Sequence, residues 1–188
     1  MQIGIIRQLP HGERIITQVV TVLEAARRAG VRVLFCRHLP LPKELMGVAR
    51  FRTALAWQRV ESPDGVQPWL LRDSPGFQLV PEVVPRPSEA VFDKITLSAF
   101  EGAPLNIALR GCGINAVAIV GVATEIGIDP TVRHAADLGY IPVVVTDACG
   151  AGNEEAAGRS LAGSAHGGDA SLTDVATICD LFGRRRPV

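Results

Sequence analysis

Apolar and polar positions alternate along this chain in two periods. Asn115 to Val120 is a continuous apolar run that stops at Gly121-Val-Ala-Thr124 and restarts as Asp129-Pro130 before a helical pattern closing on Gly139. That sequence of signals predicts a buried strand, a tight turn and a helix entrance. Ahead of it, Gln2 to Ile6 is a short apolar piece. Glu13 to Arg28 carries Ile15, Ile16, Val19, Val20, Leu23 and Ala26 at helical spacing, with Gly30 as its stop. Strands are predicted at Val31 to Cys36, Ala90 to Asp93 and Ile141 to Thr146, with a short final strand at Ala170 to Leu172. Helices are predicted at Gly102 to Arg110, Asp129 to Leu138 and Asn153 to Leu161, and a last one runs from a Thr173 cap to Phe182. Strands alternating with helices at this spacing imply an α/β fold, a three-layer α/β/α sandwich around a mostly parallel, doubly wound sheet.

Residues 38–88 break the alternation. They hold Pro40, Pro42, Pro63, Pro68, Pro75, Pro81, Pro85 and Pro87, with a short helix near Lys43 to Trp57. Insertions of this length serve as lids or subunit contacts. Phe51, Trp57 and Trp69 accordingly line a pocket or an interface, or pack the insertion onto the domain.

Composition narrows the class. In 188 residues, 47% of them apolar, without a linker-like stretch, there is material for one domain, 1–188, with one substantial core. A formal net charge of zero gives no footprint for nucleic acid or an anionic membrane, and the basic tail Arg184-Arg-Arg186 reads as a solvated terminus. No apolar run approaches the roughly 18 residues of a membrane span, and no signal peptide is evident, so a cytoplasmic location is expected. Cys36, Cys112, Cys149 and Cys179 lack the spacing of a zinc site or a disulfide framework and read as small buried hydrophobes. Cys149, close to the expected site, has neither a helix N-terminus nor a cationic neighbour to activate it.

In open parallel sheets, ligands bind outside the carboxyl ends of the strands. Lys94, in Phe92-Asp-Lys-Ile-Thr-Leu-Ser-Ala-Phe100, emerges at that edge, whereas Asp93 points the opposite way. Gly121-Val-Ala-Thr124, the helix entrance at Gly127, Lys94 and Asp147-Ala148 together resemble the isochorismatase-like hydrolases, the superfamily that also contains nicotinamidases and other cysteine hydrolases. The resemblance covers nearly the whole chain and implies a sheet in the order 3-2-1-4-5-6.

Most members of that superfamily use an Asp, Lys and Cys triad, with the Cys three residues after the Thr of Gly-Val-x-Thr. Here that position is Gly127. The resemblance makes Lys94 the triad lysine, and Gly127 closes the route through a covalent thioester. Isochorismatases proper also carry Gly there, so hydrolysis without a cysteine stays open. Val122, Ala123, Thr124 and Glu125 are the implied substrate-binding turn. It is expected to contain a cis peptide, with the N–H groups of Ala123 and Gly127 converging on an anion. Glu125 is expected to bridge to Arg133 or an adjacent subunit, or to supply a carboxylate to Lys94. His134 reads as a polar helix contact. His38 lies where metal-binding relatives place ligands, but no Asp and His cluster accompanies it, so neither metal nor other cofactor is expected.

The family's first strand ends in Asp-x-Gln and supplies the acid. This chain opens Met1-Gln2-Ile3-Gly4-Ile5, which is similar to the residues just after such an Asp. A rival alignment takes Ile3 to Ile6 as the strand and Arg7-Gln8 as the motif's end, again without an Asp. The expectation is a central slot without its strand, the acid being encoded upstream of the assigned start. Function is then expected to be hydrolysis of a small carboxylate- or amide-bearing metabolite. The rival is an inactive member that binds a metabolite or serves as an oligomer partner, and a cysteine amidohydrolase survives only if Cys149 reaches the site. A homo-oligomer with contacts from residues 38–88 is expected.

Overall fold

The computed structural model describes residues 1–67 and 69–184; Pro68 and the basic-tail residues Arg185 and Arg186 lie outside them. The elements run α1 (Ile3–Ile6), α2 (Gly12–Arg28), β1 (Leu34–His38), α3 (Val48–Gln58), β2 (Ala90–Lys94), α4 (Leu105–Gly111), β3 (Ala116–Val122), α5 (Asp129–Asp137), β4 (Ile141–Gly150), α6 (Glu154–Gly167), β5 (Ser171–Thr173) and α7 (Val175–Gly183). No helix among the described residues is long and apolar enough to cross a membrane.

All strand pairing in these elements is parallel. β1 pairs with β2, and β3, β4 and β5 form a second group in that order. Neighbouring residues of β4 point to opposite faces. Val145 joins Ile15, Val19, Leu23, Val175 and Ile178 beneath α2 and α7. Val144 packs instead with Ile128 and Val132, at the head of α5. Helices on both faces make the three layers.

The two groups of strands do not meet. Between β1 and β3 runs a cavity of about 1120 Å³, bordered by Leu34 and Cys36 on one side and by Ala116 to Val122 on the other. The strand order is therefore that implied by the resemblance with its central member missing. Gln2 to Ile6 does not enter the gap as a strand: Ile3–Ile6 coils into α1, and the Gln2 backbone forms an isolated antiparallel bridge to Leu79.

Several boundaries depart from the periodicity. β1 begins at Leu34 rather than Val31, because Val31 N–H donates to the Ala26 carbonyl and closes α2 over the left-handed Gly30. α4 begins at Leu105, after Gly102 at a positive φ and Pro104 at the cap. β4 continues past Thr146 to Gly150, across a register shift that sets Gly121 opposite Cys149. α6 runs on to Gly167, because Ser164 is buried with its hydroxyl 3.3 Å from Asp129 Oδ1. Asp174, not Thr173, caps α7: its carboxylate accepts the Thr177 N–H at 2.7 Å, while Thr173 ends β5. Cys112 is exposed at the end of α4 rather than buried.

Within residues 38–88, Val66, Leu70, Phe77 and Val83 are fully buried, and Arg37 lies 4.3 Å above the Phe77 ring. Trp57 sits edge-on to His38 at 6.3 Å. None of Phe51, Trp57 and Trp69 borders the large cavity.

Candidate active site

The carboxyl ends of β1, β2 and β3 gather around one end of the cavity. Lys94, the last residue of β2, is 9% exposed. Its ammonium donates to the carbonyls of Thr96 and Leu97, each at 2.7 Å. Burial pushes its pKa down from 10.5 to about 8. Among the described residues no carboxylate forms an ion pair with it. Asp93 faces away and is held by Arg37 at 2.7 Å and Arg72 at 2.9 Å.

The turn after β3 supplies the opposite wall. Gly121, at φ 120°, takes the register shift, and the Val122–Ala123 peptide is cis. A single π turn, Thr124–Ile128, leads into α5. The Ala123 carbonyl accepts the N–H groups of Ile126 at 3.2 Å, Gly127 at 2.8 Å and Ile128 at 3.1 Å. The Gly127 N–H is thereby engaged inside the turn and does not converge with that of Ala123 on an anion. Thr124 is buried and donates to the Gly150 carbonyl at 3.1 Å, fastening the turn to the end of β4.

Gly127 and Lys94 both border the cavity. A Cβ at Gly127 would meet only the Leu97 carbonyl oxygen, 3.9 Å away, so the backbone leaves room for a side chain. Thr131 locks this corner: its hydroxyl donates to the Gly127 carbonyl at 2.6 Å and accepts the Ala99 N–H at 3.0 Å. Thr131 was not singled out by the sequence, although its spacing of four from a helix-entrance residue is the spacing of such a back-bond.

Within this chain Glu125 pairs with neither Arg133 nor Lys94. Its Oε1 accepts the N–H groups of Gly152 at 2.8 Å and Asn153 at 2.9 Å, tying the turn to the start of α6. Its Oε2 is buried with no partner among the described residues. Arg133 instead pairs with Asp129 at 3.1 Å and Asp169 at 3.0 Å, being closer in the helix and across the α6 end.

The remaining candidates fall outside the reacting corner. Cys149 Sγ contacts the Ile119 carbonyl at 3.7 Å, and burial pushes its pKa up to about 12. Asp147 accepts the Val175 N–H at 2.9 Å. His134 is a polar contact of Ser98, 3.0 Å from its hydroxyl. Burial, with Lys94 and Arg50 nearby, holds the His38 imidazole at about 4, and no group of three metal-ligating side chains occurs among the described residues. Gln2, which the pattern did not mark, clamps the end of β1: its amide accepts the His38 N–H at 2.7 Å and donates to the His38 carbonyl at 2.9 Å.

The Isochorismatase domain family matches residues 1–176. This chain belongs to the isochorismatase family. Its fold is shared with isochorismatase-family hydrolases of known structure. An isochorismatase family protein from Desulfovibrio vulgaris is similar at 22% identity and a TM-score of 0.76, over 98% of this chain and 88% of that one. A cysteine hydrolase from Pseudomonas syringae is 20% identical with a TM-score of 0.75, over 91% of this chain and 81% of the other. An N-carbamoylsarcosine amidase from Thermoplasma acidophilum is 21% identical with a TM-score of 0.71, over 87% and 83%. Within this family fold, the cavity between β1 and β3 opens beside Lys94 and Gly127, so the break in the sheet and the candidate site are continuous.

Proposed function

We propose that this isochorismatase-family chain hydrolyses a small carboxylate- or amide-bearing metabolite without a covalent cysteine intermediate. One observation carries the proposal: Lys94 and Gly127 meet at the same end of the cavity, a buried cation facing a helix entrance that has space but no nucleophile. In the reaction, the Lys94 ammonium holds a carboxylate or the negative charge that develops at the scissile group. That charge falls to Lys94 because the Gly127 N–H is already engaged with Ala123. Of the turn residues Val122 to Glu125, Val122 borders the cavity and forms the wall against which the substrate lies, with Ala123, Thr124 and Glu125 holding the turn behind it. Water adds to the scissile carbon, the bond from that carbon to the leaving nitrogen or oxygen breaks, and the proton given up by the water passes to that leaving group, so no thioester forms.

The thiols support this chemistry. Only a thiolate is an effective nucleophile, and Cys149, buried and raised to about 12, stays a thiol near neutral pH. A small-molecule substrate, the absence of a cofactor, a cytoplasmic location and assembly into a homo-oligomer belong to the same proposal. Trp57, 37% exposed within residues 38–88, supports a contribution of that region to subunit contacts.

A second function, metabolite binding without turnover, is favoured by one feature: the hydrogen-bond partners of the Lys94 ammonium are two backbone carbonyls. Turnover and calorimetry on one panel separate the two. The panel holds a vinyl ether carboxylic acid, a primary amide and an N-carbamoyl amino acid. Turnover lost in Lys94→Gln supports hydrolysis, whereas heat of binding without turnover supports the binder.

A further inference from the structure

The ammonium of Lys94 is held by a segment that is neither strand nor helix. β2 ends at Lys94, and from Ile95 to Glu101 the chain runs through bends and a turn. No ladder fixes where its carbonyls point, yet those of Thr96 and Leu97 each accept from Lys94 at 2.7 Å. Their direction comes from side chains. The Thr96 hydroxyl shares its proton between the Ser98 and Glu101 carbonyls, which folds the segment on itself.

Two anchors come from α5. The Ala99 N–H donates to Thr131 Oγ1 at 3.0 Å, and the Ser98 hydroxyl lies 3.0 Å from His134 Nδ1. The Phe100 N–H donates to Ser98 Oγ at 3.2 Å, and the Phe100 ring lies against the His134 ring with centroids 5.8 Å apart. Ser98 Oγ thus already accepts once, and among the described residues its single proton has His134 Nδ1 as its acceptor. The imidazole is therefore the neutral tautomer that carries its proton on Nε2, an assignment made from the hydrogen-bond network. Gly127, Thr131 and His134 follow one another at steps of four and three, the spacing of one stripe along a helix. Thr131 gives its own proton to the Gly127 carbonyl at 2.6 Å. One stripe of α5 and its entrance therefore holds both the segment around Lys94 and the turn at Gly127.

We propose that Ser98 and His134 are positioning residues for the hydrolysis: their hydroxyl-to-imidazole bond fixes the segment whose carbonyls aim the Lys94 ammonium, so that α5 sets the separation of Lys94 from the Gly127 entrance. The consequence for turnover rests on the hydrolase proposal, whereas the consequence for Lys94 itself does not. Neither residue touches the substrate. The bond from Ala99 to Thr131 fixes one point of the segment and leaves it able to swing about that point. A second bond, one residue earlier in the segment and one helical turn further along α5, removes the swing. The ammonium stabilises developing charge only where it is aimed, and a misplacement of about 1 Å costs about a hundredfold in rate. Loss of aim is felt in kcat, where that charge is met, more than in KM.

The test uses the full chain, whose lysines are Lys43 and Lys94 alone. Trace acetylation with acetic anhydride, read by peptide mass mapping, follows Lys94 against Lys43 as internal standard. In Ser98→Ala and in His134→Leu, Lys94 is expected to label about fivefold faster relative to Lys43 than in wild type, as the segment opens locally. Ser98→Thr keeps the hydroxyl, and His134→Asn puts an accepting oxygen near the place of Nδ1; both are expected to return the ratio to within about twofold of wild type. With the vinyl ether acid, primary amide and N-carbamoyl substrates, kcat should fall about ten- to a hundredfold in the two disruptive variants, with KM little changed, and recover in the two conservative ones. Should His134→Leu fail to fold, Ser98→Ala, which removes only a hydroxyl, decides. An unchanged labelling ratio in Ser98→Ala overturns the proposal, as does an equal rise in the conservative variants. A parallel rise at Lys43 with a lower Tm would mean general loosening and overturn it too, and a raised KM at constant kcat would place the pair in substrate binding instead. Absence of turnover by wild type would count against the hydrolase proposal alone, and the labelling ratio would still decide the role of Ser98 and His134.

Discussion

The carbonyl oxygen of Leu97 that accepts the Lys94 ammonium at 2.7 Å lies 3.9 Å from the place a Cβ on Gly127 would occupy. One peptide group thus joins the buried cation to the helix entrance. The distance shows that Gly127 is not glycine for lack of space. Gly127→Ala is therefore expected to fold and to change stability by less than about 1 kcal/mol, since replacing glycine in a compatible backbone lowers the entropy of the unfolded chain. Thermal unfolding of the two proteins side by side checks this. A loss of several kcal/mol would mean the turn requires glycine itself.

Lys94 should leave a signature in the pH dependence of stability. Its folded pKa of about 8 lies below the ordinary 10.5, so between those values the unfolded chain binds more protons. Stability then rises with pH across that window as the buried ammonium loses its charge. From pH 8 to 9 the rise from this group is about 1 kcal/mol, given about 1.4 kcal/mol per pKa unit. Urea unfolding at both pH values, compared with Lys94→Met, isolates it, because the Met variant lacks the increment. An identical slope in both proteins would contradict the burial of a charged Lys94.

Glu125 acts through Gly152 and Asn153, so its removal should be felt as a loss of local order. Glu125→Ala leaves two exposed backbone N–H groups at the start of α6 to water and is expected to cost about 0.5–1.5 kcal/mol. Glu125→Gln keeps one acceptor oxygen and should cost less. Chemical denaturation ranks the two. A larger loss in Gln than in Ala would assign the cost to the unpartnered Oε2 instead.

Alkylation should follow exposure. Cys112 is exposed and should react with iodoacetamide first, whereas Cys149, buried and raised to about 12, should react only as the chain opens. Peptide mass mapping over time reads the order. Early labelling of Cys149 in the folded protein would restore it as a nucleophile.

What the sequence could reveal depended on how local the cause was. The run Asn115 to Val120 and the signals around Gly121, Asp129 and Gly139 act over a few residues, and the strand, turn and helix appear where they point. Lys94 was legible because a strand periodicity fixes which side chain leaves the edge. Glu125 was not, because its partners are the amides of Gly152 and Asn153, brought close by the extension of β4 across the register shift. The same extension moved Cys149 into a strand. Ser164 kept α6 going through Ala162-Gly163, a tertiary effect that composition alone reads as an end. Gln2 carried no pattern at all, since its importance comes from the backbone of His38.

The central claim, hydrolysis at Lys94 without a covalent cysteine, is tested most directly by intact-mass spectrometry of quenched turnover. It uses the vinyl ether acid, primary amide and N-carbamoyl panel, with wild type and Lys94→Gln in parallel. The expected result is product formation by wild type, its loss in Lys94→Gln, and a protein mass that never departs from that of the free chain during turnover. A mass increase equal to the acyl portion of the substrate and located on Cys149, or turnover undiminished in Lys94→Gln, would contradict it.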